Sequence, residues 1–280
     1  MIFDKNQSVF SSDLHREVWW WAVGIVPPSD SLTDKVKSQC TKDILDGCYQ
    51  WYDYFSELCE DMYNNIGEYS QVSARQYRDI LENIAANGEL LGNRIIWDIN
   101  DWQKYQEKFN RKSPGINKLQ KCLNALERTG LKCEYKNDGV VFHNEKDPKI
   151  FHAMSTFEKS PNIRKTPARH HFAHCEFRQL FKSYSANYDE LLRRVSDESL
   201  DIAHAIHDFA KSLKIQRYVH FDTIKYKHKN TRVLHFTVSG DEYPTLRVNI
   251  GDYKINPFKS DLDEILAKIA ARKTFIDENF

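Results

Sequence analysis

Residues 113–143 read SPGINKLQKCLNALERTGLKCEYKNDGVVFH, and the local signals in this stretch organise the rest of the chain. Ser113 before Pro114 is the pair expected at a helix start. The hydroxyl can accept from an early backbone N–H, and proline at the first helical position gives up no hydrogen bond. Ile116, Leu119, Cys122, Leu123 and Leu126 then recur at three- and four-residue spacing, which predicts a helix over 114–129 with one buried face. Gly130 stands where a helix commonly turns left-handed to stop. Leu131–Tyr135 and Val140–His143 follow as two short strands, and Lys136-Asn137-Asp138-Gly139 between them has the composition of a hairpin turn.

Upstream, the spacing predicts a helix over Ser73–Ala86, stopped by Asn87-Gly88. Arg94–Ile99 is short and β-leaning, and Asn100 or Asp101 can cap a helix running to Phe109. The resulting order is helix, strand, helix, turn, helix and two-stranded hairpin, which resembles a winged helix-turn-helix. That resemblance implies that helix 114–129 enters the major groove and that the hairpin reaches the backbone. Across 111–128, Arg111, Lys112, Lys118, Lys121 and Arg128 face only Glu127, a surplus of +4. Arg111, Lys112, Lys118 and Lys121 are nucleic-acid-contact candidates, and Lys132, Lys136 and Asn137 could place the hairpin on phosphates. Asn117 and Asn124 are base-edge candidates, because an amide can pair bidentately with adenine.

Three segments follow from this parsing: an acidic, aromatic-rich helical part (1–70), the winged-helix-like part (71–145) and an α+β part (146–280). The fold class is α+β, mainly helical, with a small antiparallel sheet near the C-terminus. In the first segment, helices are expected over Asp13–Ile25, ended by Pro27-Pro28, and over Asp43–Tyr63. Trp19-Trp20-Trp21 point in three directions on a helix, so the first helix should be packed on most sides. In the last segment, helices are expected from Thr166 to Phe181, from Ser196 to Leu213 and from Leu262 to Phe275. Strands are expected at Arg217–Lys227, Arg232–Ser239 and Thr245–Ile250.

Eight of the 11 histidines fall within 170–235. His170 and His174 have the spacing of a zinc-binding helix, but the position of the general-base Glu is His171, so the zinc-protease pattern fails. A metal site made from His171, Cys175, His204 and Asp208 would require the polar faces of two helices to meet. In the sheet, His235, Thr237, Arg247 and Asn249 alternate with apolar residues and should share one face. Tyr226, or Tyr218 and His220, would join them according to register. Arginine with histidine and tyrosine suits a small anionic ligand.

The 40 Lys+Arg cancel the 40 Asp+Glu, and 41% of residues are hydrophobic, which excludes a disordered tail, a fibre or a histone-like polycation. The zero conceals a division: residues 1–70 carry a net −7 and residues 210–235 a net +6. These charges offer an internal use, with the acidic helices docking on the basic C-terminal hairpin. Six scattered cysteines without C-x-x-C spacing read as reduced thiols, pointing to the cytoplasm. The apolar run Val18–Val26 is too short to span a bilayer, which needs about 20 residues. No P-loop, G-x-G-x-x-G or G-x-S-x-G motif is present, and no cofactor is implied. The leading expectation is a soluble binding or regulatory protein whose middle segment contacts DNA or a protein partner. The alternative is a ligand-binding or enzymatic domain using the histidine- and arginine-rich C-terminal region.

Overall fold

Burial of the tryptophan triplet anchors the first of two units. Trp19, Trp20 and Trp21 are all buried, with Trp21 against Phe55 (5.9 Å between ring centroids) and Trp20 edge-on to His174. The computed structural model describes residues 3–7, 9–111, 117–137, 139–160, 174–181, 188–193, 195–220, 223–239 and 245–280; the side chains of residues 220, 238, 239 and 245 are outside that description. The chain divides into two compact units, Phe10–Ser183 and Met1–Val9 with Tyr184–Phe280. The segments read as 1–70 and 71–145 thus fall, apart from the first nine residues, in one unit. Both units are α+β, and the two sheets, one in each, are antiparallel.

The first unit begins with α1 (Asp13–Gly24), whose first turn is closed by Ser12 accepting from His15 N. Short helices α2 (Pro28–Ser31) and α3 (Asp34–Lys37) lead to the long α4 (Lys42–Asn64), capped by Thr41. Along α4, Cys48, Trp51, Phe55, Leu58, Cys59 and Met62 form the buried stripe. After α5 (Ile66–Tyr69) comes α6 (Ala74–Asn87), which Ser73 and Gln76 close with a capping box. Next are β1 (Glu89–Leu91), β2 (Arg94–Asp98), α7 (Ile99–Asn110), α8 (Lys118–Leu126), β3 (Leu131–Tyr135), β4 (Gly139–Asn144) and α9 (Ile150–Lys159). The strands form one sheet in the order β1-β2-β4-β3.

Helix α9, absent from the sequence reading, lies along α4. Lys149 bonds Asp43 (2.9 Å) and Asp46 (2.6 Å), and Lys146 pairs with Glu57. Much of the acidity of α4 is therefore matched within its own unit. The helices approach closely at Gly47, where a Cβ would collide with the carbonyl oxygen of Lys149 and lie 3.1 Å from Ala153 N. Both obstacles are backbone, so Gly47→Ala should cost about 1–3 kcal/mol by overpacking, read as a lower urea midpoint at unchanged slope. An unchanged midpoint would contradict this packing.

The second unit carries α10 (Tyr188–Leu192), α11 (Asp197–Ser212), β5 (Gln216–His220), β6 (Thr223–His228), β7 (Thr231–Ser239), β8 (Thr245–Ile250), β9 (Tyr253–Ile255) and α12 (Leu262–Asn279). Its sheet is a five-stranded meander in sequence order, not the three strands expected. The run Arg217–Lys227 is in fact a hairpin, with Val219 paired to Ile224 and His220 to Thr223. No Gly, Pro or Asn in the sequence between them signals a turn. The other added strand, β9, is only three residues long. Ile202, Ala203 and Ile206 of α11 and Ile265 and Ile269 of α12 pack with Ile224, Leu234, Phe236, Leu246 and Val248, so both helices cover one face of the sheet. Between Tyr226 and Lys227 the register with β7 shifts: Tyr226 meets Leu234 while Lys227 meets Arg232. Val233 is the extra residue of this bulge, and it and Leu234 are both fully buried.

The helix expected over Thr166–Phe181 is not observed in its described part. Cys175 has φ +52° and Phe177–Leu180 is a 3-10 turn, begun by Glu176 accepting from Arg178 N. A left-handed residue interrupts an α-helix. Residues 166–173 lie outside the described residues.

Candidate nucleic-acid interface

Helix α8 starts at Lys118, because Asn117 supplies its cap: Asn117 Oδ1 accepts from Gln120 N (3.0 Å) and from Asn110 Nδ2 (3.1 Å). Asn110 Oδ1 in turn accepts from Leu119 N (3.1 Å), so the two amides tie the end of α7 to the start of α8. Ser113 and Pro114, the start read from sequence, lie outside the described residues, as does Lys112. Leu119, Cys122, Leu123, Ala125 and Leu126 are buried, while Lys121 and Asn124 are exposed and Lys118 is half-buried. After a 3-10 turn over Glu127–Thr129, Gly130 takes φ +92° and the chain enters β3.

Strands β3 and β4 form the hairpin expected, with Tyr135 opposite Val140 and Lys136 N donating to Gly139 O (2.8 Å). Strand β2 adds to its other side, with Ile95 opposite Phe142, Ile96 opposite Val141 and Trp97 opposite Val140. Tyr135 joins hairpin and helix: its hydroxyl donates to Gln120 Oε1 (3.4 Å) and accepts from Trp102 Nε1 (3.3 Å).

The candidate residues divide by what already holds them. Arg111 and Lys121 are exposed, Lys118 is half-buried, and none of the three has a carboxylate partner among the described residues. Lys136 reaches Glu134 (2.7 Å), whose second oxygen meets His143 Nε2 (3.0 Å). Lys136 and His143 hold the Glu134 carboxyl below its ordinary range. An exposed pair of this kind is weak and easily exchanged. Asn117 is placed differently from its sequence role, since a bidentate pairing to adenine would take its oxygen from the helix start. Arg128 is a strut: Nε and Nη2 donate to Asp61 of α4 at 2.8 and 3.0 Å.

Asp61 also accepts from Tyr69 (2.5 Å) and Asn65 (2.7 Å), and Arg128 is the main reason its carboxyl lies below the usual range. With the folded pKa depressed, the stabilisation is complete above the unfolded value of about 3.9 and is lost as pH falls through the folded value. Asp61→Asn should thus melt below the wild type at pH 7, with the gap closing below about pH 4. A gap that persists into acid would remove the ion pair as its cause.

No protein-family model, curated protein or solved structure matches the chain.

The C-terminal sheet brings together most of its sequence-predicted residues. His235 pairs with Asn249 and Thr237 with Arg247, all on the face away from α11 and α12. Tyr226 is the exception. It pairs with Leu234, is fully buried on the helix-covered face and lies in contact with His207. Tyr218, opposite Lys225, occupies the open face instead. Alternation alone leaves that choice to register, which hairpin β5–β6 settles.

His207 carries no local signal that separates it from the other histidines of this region. Arg217 Nη1 donates to His207 Nε2 (3.3 Å), which leaves Nδ1–H to donate to the Tyr226 hydroxyl (3.2 Å). Burial, and after it the Arg217 charge, hold this imidazole neutral by lowering its pKa. Tyr188 continues the chain by donating to Ala203 O (3.0 Å), and Arg217 stacks over its ring at 4.4 Å. Every group here has a partner, as a structural network requires.

The metal candidates fall on both units. His171 lies outside the described residues, and Cys175 is buried in the first unit with its thiol pushed up by burial. His204 and Asp208 are exposed on α11 in the second unit. Among the described residues no three His, Cys, Asp or Glu side chains converge as a metal site would need. Nor is any helix among them long and apolar enough to cross a membrane.

Proposed function

We propose that residues 74–144 are a winged-helix module that contacts nucleic acid, with α8 as its recognition helix and β3–β4 as its wing. The observation that carries this reading is the pairing of β2 with β4. Of the two strands between α6 and α7, β2 pairs with the hairpin to make the β2-β4-β3 part of the four-stranded sheet, and α7 and α8 intervene in sequence between β2 and the hairpin. That connectivity leaves one face of α8 outside the core, with Lys118, Lys121 and Asn124 on it. Arg111 and Lys136 flank the helix as backbone contacts, and Lys112 extends the same basic stretch in sequence. The wider reading is a binding or regulatory protein. Its six free cysteines support a reducing, cytoplasmic setting.

The test is fluorescence anisotropy of a labelled random-sequence DNA duplex titrated with the full chain at about 50 and 200 mM salt. The expected result is binding that weakens with salt, with a slope near −0.9 for each phosphate neutralised. Absence of binding up to about 100 μM protein at the lower salt, where non-specific binders still associate, would overturn the reading.

A further inference from the structure

The face of the five-stranded sheet away from α11 and α12 is segregated by charge. Its strands contain no Asp or Glu at all. Alternation and register place five of their cations on the side away from α11 and α12. Lys225 and Lys227 lie on β6, Arg232 on β7, Arg247 on β8 and Lys254 on β9. The carboxylates of this unit's helices lie on the covered side; Asp277 of α12, for instance, is bonded by His228 and Lys273. Among the described residues none of the five cations has a carboxylate within ion-pair distance. Among the described residues Arg247 makes a neutral contact, to Asn256 Oδ1 (3.3 Å). Five like charges on one face repel one another, an arrangement that an external anion would relieve.

The pattern is a track rather than a pocket. Tyr218, Lys225, His235, Asn249 and Lys254 are consecutive cross-strand neighbours, one from each strand. At about 4.8 Å per strand the row extends about 19 Å. At one end Tyr218 presents a ring that is 43% exposed, with Lys227 Nζ 5.2 Å from its centroid. Spread across all five strands, the row suits a chain of phosphates better than one small anion. A basic track with an exposed aromatic ring is the combination that holds unpaired bases by stacking and their backbone by charge.

We infer that this open sheet face binds single-stranded nucleic acid, with the five cations along the phosphates and Tyr218 stacked on a base. The inference rests on the second unit alone and does not require the winged-helix reading. His235 sits at the centre of the row with its Nδ1 buried and without a partner. Its pKa is lowered by burial and by Arg232, Lys225 and Lys254. A bound phosphate chain offsets those three charges, so the His235 pKa should rise on binding.

The experiment is anisotropy with a labelled 15-nucleotide oligo(dT) and, separately, a duplex, on the full chain and two double variants. Lys225→Glu with Arg232→Glu should weaken oligo(dT) binding at least tenfold and leave the duplex affinity unchanged. Lys118→Glu with Lys121→Glu should do the reverse. Tyr218→Ala should weaken oligo(dT) binding about fivefold or more, by loss of one stacked base. A histidine ring-proton NMR titration, with His235→Gln assigning the signal, should show its pKa rising when oligo(dT) is added. Far-UV circular dichroism and thermal midpoint check that each variant folds. The inference is overturned if the wild type does not bind oligo(dT) at low salt. It is also overturned if the folded Lys225/Arg232 variant binds as tightly as wild type. If heparin binds as tightly as oligo(dT) and Tyr218→Ala has no effect, the face takes polyanions without reading bases, and the single-strand assignment fails.

Discussion

Trp102→Ala is expected to destabilise the Phe10–Ser183 unit by about 3–5 kcal/mol, the range for deleting a large aromatic side chain from a core. Trp102 has no solvent exposure and projects from α7 onto the sheet. Its ring lies edge-on to Trp97 of β2 at 5.1 Å and to Phe142 of β4 at 5.3 Å, with Tyr105 at 5.7 Å. Its Nε1 also donates to the Tyr135 hydroxyl at the end of β3 (3.3 Å). One side chain therefore touches three of the four strands of the β1-β2-β4-β3 sheet, and truncation leaves a cavity that none of them can close alone. The loss is a large part of a domain's usual net stability. Urea unfolding followed by the remaining tryptophans and by circular dichroism measures it. A change below about 1 kcal/mol would mean that Trp102 is not the centre of this packing.

The second large effect is on binding. Reversing Lys118 and Lys121 to Glu should weaken duplex DNA association about a hundredfold at 50 mM salt. With a slope near −0.9 per contact, each neutralised phosphate contributes about a factor of ten between 1 M and 50 mM salt, and two contacts multiply. The fold should tolerate the change. Lys121 is exposed, and Lys118 is the first residue of α8, where a carboxylate is favoured by the helix dipole. The variant's salt dependence should also be shallower by about two contacts. Unchanged affinity in a folded double variant would remove α8 as the contacting element.

What was legible in the sequence follows how local each signal is. Helices α1, α4, α6, α11 and α12 were readable because their apolar stripes recur over many turns and their caps are local. The β3–β4 hairpin was readable from its turn composition. Helix α9 was not, because Lys149 at its start is no capping residue and its apolar face answers to α4, more than 90 positions upstream. The split of Arg217–Lys227 escaped for a related reason: Asp222 is the one turn-favouring residue in the run, with no Gly, Pro or Asn beside it to mark a hairpin. For the sites, His235, Thr237, Arg247 and Asn249 could be grouped by alternation alone, whereas Tyr226 could not be assigned without register. The Arg128–Asp61 strut joins residues 67 positions apart and leaves no local signal, whereas the Asn117 cap is local and was hidden by the rival helix start at Ser113-Pro114. The basic face of β6 was nevertheless within reach, since Thr223, Lys225 and Lys227 alternate with Ile224 and Tyr226.

The most direct test of the central claim is to map where a duplex touches the protein. Amide chemical-shift changes in a deuterated, 15N-labelled full chain, followed as a DNA duplex is added at low salt, locate the contact residue by residue. The account predicts that the largest changes fall on residues 117–128 of α8 and its flanks and on 132–137 of the wing, leaving the buried stripe of α4 unchanged. Changes confined to other elements, or none at saturating duplex, would contradict it.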